Sequence, residues 1–336
     1  MPQLIARVLI GFLPVLLFLF ALVYLDSYKL VRLRGVVSTI ALGAGVAVLA
    51  YVLNSVLSAR LPVGEASYSR YIAPILEESA KALFLVILIR SHRIGFLVDA
   101  AIYGFAIGTG FAVVENLYYL RSLPHANLAV WLVRGCGTAL MHGGTTAIFG
   151  VASKALDDRA DLARFVKYVP GLLVACVIHS AFNHFFFSPV LSAMGILLAL
   201  PPVMLLVFDR SEASLRGWLN VGFDADTELL ELIESGELSG SKVGTYLHSL
   251  KEKFRGEVVA DLLCYLRIHV ELSIRAKGLL MLRQSGFKID PDEPTRAKFK
   301  ELEYLERSIG MTGKLAMAPF LRLSSKDLWQ LYMLGK

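Results

Sequence analysis

Cysteine is scarce in this chain, and its few copies are badly placed for chemistry. Cys136, Cys176 and Cys264 share no close spacing, which excludes a disulfide framework and a thiolate zinc site. Charge is scarce as well, at 18% of residues against 56% hydrophobic ones, a balance unlike that of an ordinary soluble protein. The His-Glu-x-x-His pattern of soluble metalloproteases is missing. Ser79 and Ser180 lie in no nucleophile elbow, and Cys136 and Cys176 sit in apolar surroundings that disfavour a thiolate. The apolar run 8–24 has no small-x-small cleavage site and leads into a basic segment, so it reads as a retained first span rather than a removable leader.

Long hydrophobic runs are what the chain has in abundance. Segments of about 20 apolar residues fall near 4–25, 36–57, 70–90, 96–120, 129–152, 169–187 and 190–208, about seven membrane spans. Charge is divided unevenly: residues 1–208 hold 15 Lys+Arg against 9 Asp+Glu, and 209–336 hold 19 of each, so the net +6 belongs to the first part. That excess flanks apolar spans, where it is a topology signal and not a nucleic-acid footprint. The fold expected is all-α: a polytopic transmembrane helical bundle over 1–208, followed by a soluble helical domain over 209–336.

Basic residues in the short loops set the orientation. Lys29, Arg32, Arg34, Arg90, Arg93, Lys154, Arg159, Arg164 and Lys167 fall on one side, against Arg7, Arg60, Arg70 and Arg121 on the other. Asp157, Asp158 and Asp161 share one of the basic loops, but acidic residues weigh little in this rule, which places the N-terminus outside and the C-terminal domain in the cytosol. Helices are expected in the tail near 225–235, 241–254, 257–284, 295–309 and 325–334, with breaks at Gly236, Gly240, Gly286, Pro291 and Pro294 and a turn from Asp290 to Pro294. The tail has no phosphate loop or metal-ligand spacing. It reads as a small module for stability, regulation or a cytosolic partner.

Four of the spans carry polar side chains, and helix geometry says how each presents them. In the third, Lys81 stands four residues from Glu77 and three from Glu78, within reach of either. The two glutamates diverge by about 100° around the helix, so one faces a pocket while the other is held. In the fourth span Gly104, Gly108 and Ala112 form a small-residue stripe for close helix approach. Glu115, beside Asn116, extends that stripe towards the interior. In the fifth, Arg134, Thr138, His142, Thr146 and Gly150 recur every four residues, an inward polar face. In the sixth, Cys176, His179 and Asn183 share a face, whereas His184 points elsewhere and reads as an interfacial anchor.

Two glutamates, a third in the next span and two histidines beyond it supply the ligand types of a catalytic zinc site with a carboxylate to spare as general base. Bundles build metal sites from facing helices in this way. The bland alternative for each residue is a buried ion pair or a hydrogen bond between helices. A count of about 1.5 Å per residue leaves Glu115 near the outer end of its span, away from the depth of His179.

Glu77-Glu78-x-x-Lys81, Phe111-x-x-x-Glu115-Asn116, the segment from Arg134 to His142, and His179-x-x-x-Asn183 follow in that order on successive apolar segments. The set resembles the four motifs of PrsW-type intramembrane proteases, relatives of the CAAX prenyl endopeptidases and of the gamma-secretase scaffold subunit. It covers about residues 70–187 and leaves the tail outside. The resemblance implies that Glu77 or Glu78 activates water, that Glu115, where the CAAX branch has His, joins His142 and His179 as metal ligands, and that Asn183 stabilises the oxyanion. Zinc is the metal expected. The implied activity is cleavage of a membrane-anchored protein such as an anti-sigma factor, in a bacterial cytoplasmic membrane. Of the two adjacent glutamates, Glu78 is expected to be the base, with Glu77 and Lys81 holding it. The rival readings are a non-catalytic membrane scaffold and a proton-coupled transporter.

Overall fold

The computed structural model describes residues 2–28, 30–158, 165–285, 287 and 291–321, and every regular element among them is helical. Lys29, Arg159, Asp161, Arg164, Gly286, Asp290 and the expected helix at 325–334 lie outside the described residues. The chain divides into two compact units between Ser211 and Glu212.

The first unit begins with α1 (Pro2–Leu25) and α2 (Leu33–Arg60). A short helix, α3 (Glu65–Ser67), passes through a wide π-helical turn at Tyr68–Ile72 into α4 (Ala73–Arg90). Next comes α5 (Leu97–Ser122). The fifth apolar segment is α6 (Leu128–Val133), a second π-helical turn at Arg134–Ala139, and α7 (Leu140–Asp157). α8 (Val169–His184) and α9 (Pro189–Glu234) follow, and the division between the units falls within α9.

Among the described residues, five helices are long and apolar enough to cross a membrane: Gln3–Leu25, Leu33–Arg60, Leu97–Ser122, Val166–His184 and Pro189–Glu234. The other two expected spans are helical but differ in kind. α4 carries Glu77, Glu78, Lys81 and Arg90 within 18 residues, and the 128–157 segment is split by its π turn. These are the two segments richest in polar groups that need partners inside a bundle.

α5 is the centre of the unit and packs against α1, α2, α4 and α7. Small residues decide how closely. A Cβ at Gly108 would lie 2.2 Å from the His142 carbonyl oxygen, and one at Gly104 2.6 Å from that of Thr146. On the opposite face, a Cβ at Gly110 would lie 2.0 Å from the Ile40 oxygen, and one at Gly43 2.0 Å from the Ile107 oxygen. Glycine alone permits such backbone contact, as small residues do between membrane helices. Phe105, Ile102, Ala106 and Ala112 fill the interior against Leu140 and Ala147 of α7 and Val15 and Leu19 of α1.

The second unit contains α10 (Lys242–Leu250), α11 (Gly256–Gln284) and α12 (Glu293–Met317). Ser241 accepts from the Gly244 amide and Asp292 from the Thr295 amide, each capping the helix it precedes. Leu262, Leu266 and Leu280 of α11 are buried, as are Leu302, Leu305 and Ile309 of α12. A fully buried Lys277 pairs with Asp226 at 2.5 Å and also meets Ser273. A charge without water needs such a partner.

Candidate active site

α4 presents its two glutamates to different surroundings. Glu78 is buried, and its Oε1 accepts from Lys81 Nζ at 2.6 Å, meets His179 Nδ1 at 2.7 Å and accepts from Thr145 Oγ1 at 3.3 Å. Glu77, one residue earlier, turns to a cavity of about 490 Å³ bounded by α2, α5, α8 and the 65–73 segment. His142, His179, Glu115, Asn183 and Thr138 also line that cavity, whereas Glu78 does not. The roughly 100° between neighbours on a helix thus separates a held carboxylate from an accessible one.

A second chain of contacts starts at Lys81. Its Nζ lies 3.1 Å from His142 Nδ1 and 4.8 Å above the Phe111 ring. His142 Nε2 is 3.1 Å from Glu115 Oε2, which also meets Arg134 Nη2 at 3.2 Å. Arg134 stacks 3.7 Å over Tyr119, and its Nε donates to Asn116 Oδ1 at 2.8 Å. Asn116 Nδ2 in turn donates to the Gly11 carbonyl of α1 at 2.7 Å. Every charge in this interior is therefore paired or hydrogen-bonded, as a low-dielectric setting demands.

The contacts also fix where protons sit on the imidazoles. Glu78 has no proton to give when ionised, so His179 donates from Nδ1 and its Nε2 carries the lone pair, 3.9 Å from Glu77 Oε2. Lys81 is a pure donor, so His142 accepts at Nδ1 and donates from Nε2 to Glu115. The two rings meet edge to face, with centroids 4.8 Å apart.

All six site residues expected from sequence belong to this region, in two groups. Glu77, His142 and His179 each offer a ligand atom within 4.8 Å of the others. Glu115 sits to one side, bound to Arg134 and His142, and Glu78 lies behind His179. Asn183 lines the cavity but commits Nδ2 to the Ser69 carbonyl at 2.9 Å, while Ser180 Oγ donates to the Arg70 carbonyl at 2.6 Å. Both acceptors belong to the Tyr68–Ile72 π turn. Such turns recur at functional sites because they break the regular helix hydrogen-bond ladder. The depth mismatch expected for Glu115 does not arise, because Gly104 and Gly108 seat α5 directly on α7 at His142.

Two cavity residues were not anticipated. Asn54 of α2 donates from Nδ2 to Glu77 Oε1 at 3.0 Å, and Tyr68 donates to Asn54 Oδ1 at 3.0 Å. The only signal in the sequence was a lone amide within an apolar span, outside the motif region.

Residues 32–208 match the family described as PrsW family intramembrane metalloprotease. The chain belongs to that family. It is therefore a peptidase embedded in a membrane, and its substrate is a membrane protein. No curated protein and no solved structure matches the chain.

Membership in a metalloprotease family implies a metal ion. Two imidazoles and a carboxylate within 4.8 Å of one another are suitable donors for one. Glu78 on His179 Nδ1 is the carboxylate support that a metal-bound histidine usually has. The contact that opposes binding is Lys81 on His142 Nδ1. Lys81 keeps Glu78 as a partner when that contact is given up, so in donor type and support the PrsW site fits a metal.

Proposed function

We propose that this PrsW-family protease hydrolyses a peptide bond of a membrane-anchored protein at the cavity edge of Glu77, with Glu77 as the water-activating carboxylate. The observation that carries the reading is the convergence of Glu77, His142 and His179 within 4.8 Å on a cavity wall, with Glu78 withdrawn behind them. Glu77 has one oxygen held by Asn54, and Oε2 is turned to His179 Nε2. A water bound from the cavity side can give a proton to Oε2 as it attacks the carbonyl. His179 Nε2, kept as an acceptor by Glu78, orients the same water.

Glu78 and Lys81 are support rather than catalyst in this reading, since neither reaches the cavity wall. Asn183 has one amide hydrogen left after its bond to Ser69 and can donate it to the oxyanion. Glu115 fixes His142 from its Nε2 side and is itself balanced by Arg134. When bound, zinc would be held by His142 and by the His179 Nε2 lone pair, leaving Glu77 beside it as the base, and would polarise the carbonyl and lower the pKa of water. Zinc is favoured because its donor preference matches this set.

The substrate class implied by the resemblance is a membrane-anchored regulator such as an anti-sigma factor, in a bacterial cytoplasmic membrane with the N-terminus outside. The 209–336 domain would then be cytosolic and available to a partner. The test is cleavage of a single-span reporter by purified protein in liposomes. Loss of turnover in Glu77→Gln with the fold intact is the expected result, and full turnover in that variant overturns the assignment.

A further inference from the structure

Glu77 stands at a cavity wall where an unsupported carboxylate would rotate freely. The hydrogen bond that holds it comes from α2, a helix outside the four motif segments: Asn54 Nδ2 donates to Oε1 at 3.0 Å. Asn54 is itself held, because Tyr68 OH donates to its Oδ1 at 3.0 Å and lies 3.3 Å from its backbone oxygen. We propose that Asn54, oriented by Tyr68, is the positioning residue for Glu77; this rests on Glu77 being the water-activating carboxylate.

The donor and acceptor inventory fixes the direction of the relay. Ionised Glu77 only accepts, so the amide must turn its NH₂ towards it. That leaves Oδ1 facing Tyr68, whose hydroxyl supplies the matching donor. A flipped amide would set oxygen against carboxylate oxygen. The Glu77 carboxylate therefore selects the amide orientation, and the Tyr68 hydroxyl holds Asn54 in it.

The support is also rigid. α2 is seated against α5 by the glycine contacts at Gly43 and Gly110, and Val46, Ala47 and Ala50 pack with Phe111 beneath the cavity. Tyr68 is buried at the head of the π turn whose Ser69 and Arg70 carbonyls receive Asn183 and Ser180. Asn54, Tyr68, Glu77 and Asn183 all line the same cavity. With Oε1 held, Oε2 is the oxygen left facing His179 Nε2 at 3.9 Å.

Asparagine between apolar helices can also act merely as glue, and the experiment separates the two roles. Full-length protein in liposomes is given a fluorogenic reporter with one apolar transmembrane helix. Asn54→Ala is expected to lower kcat about a hundredfold and leave KM within about twofold, the cost of a misplaced reacting group. Tyr68→Phe lowers kcat roughly tenfold, and the double variant is no worse than Asn54→Ala, because the two act in series. Asn54→Gln, which keeps both amide functions, restores part of the loss. Without any substrate, the infrared difference between parent and Glu77→Gln isolates the Glu77 carboxylate band. That band shifts in Asn54→Ala and shifts less, in the same direction, in Tyr68→Phe.

Unshifted bands, multiplicative kcat losses, or a lowered melting temperature with unchanged kcat each overturn the positioning role. An inactive Glu77→Gln beside a fully active Asn54→Ala overturns that role alone. An active Glu77→Gln overturns the assignment of Glu77 itself.

Discussion

His179 Nδ1 lies 2.7 Å from Glu78 Oε1, and the same ring turns Nε2 towards Glu77 Oε2 at 3.9 Å. One imidazole thus stands between adjacent glutamates of α4 and gives them different roles. Glu78 fixes the tautomer from behind, and Glu77 shares the cavity with the lone pair.

The pair should separate by substitution. Glu77→Gln is expected to remove turnover and leave the melting temperature in detergent nearly unchanged, because Glu77 is a cavity-wall residue. Glu78→Gln leaves Lys81 without its carboxylate in a fully buried position, a loss of about 3–5 kcal/mol for a broken buried pair. Thermal unfolding and reporter cleavage, measured side by side, check both. Equal stability of the two variants would contradict the division of roles.

Close helix contact makes a second prediction. Gly108→Ala puts a methyl group 2.2 Å from the His142 carbonyl oxygen, so α5 and α7 must part and carry Glu115 away from His142. A destabilisation of about 1–3 kcal/mol or more is expected from overpacking, with loss of turnover. Gly45→Ala, where an added Cβ meets nothing within 4 Å, is the control and should match the parent in unfolding and cleavage.

Metal removal is the third. Dialysis against a chelator should abolish reporter cleavage, and added zinc should restore it. Elemental analysis of the purified protein should find the metal in the parent and a loss of it in His179→Ala. Full activity in metal-free protein would leave Glu77 and the histidines to act without an ion.

The second unit gives a pH prediction. His269 on α11 is buried, and burial, aided by Lys277 and opposed by Asp226, pulls its pKa down to about 4. The folded state therefore keeps this ring neutral while the unfolded chain takes up a proton below its ordinary value of 6.5. Stability of this unit is full above that value and falls as pH drops from there towards 4, by about 3 kcal/mol. Hydrogen-exchange protection factors of α11 in the full chain, corrected for the pH dependence of intrinsic exchange, should fall from pH 7 to pH 4, and His269→Gln should flatten the dependence.

Much of the bundle was legible because its signals are local. Apolar runs mark the helices, and the Gly104–Gly108–Ala112 stripe shows which face of α5 meets a neighbour. Asn54 was not legible, since one amide in an apolar helix carries no sign of the carboxylate it will meet. The π turns were not legible either. The spacing of Arg134, Thr138 and His142 predicts two regular α-helical steps, and the wide turn at Arg134–Ala139 interrupts them. Arg134 still reaches Glu115 because its side chain is long.

The local pattern of the chain required that glutamates and histidines be buried on successive helices, for their cost in an apolar setting demands partners there. It determined that Glu77 and Glu78 would diverge, because neighbours on a helix always do. Helix packing chose which of them is accessible. That choice depends on the rotation of α4 about its axis, set by α7 and α8 placing Thr145 and His179 on Glu78 and by α2 placing Asn54 on Glu77. Contacts between residues so far apart in the chain are fixed by packing, which helix periodicity does not encode.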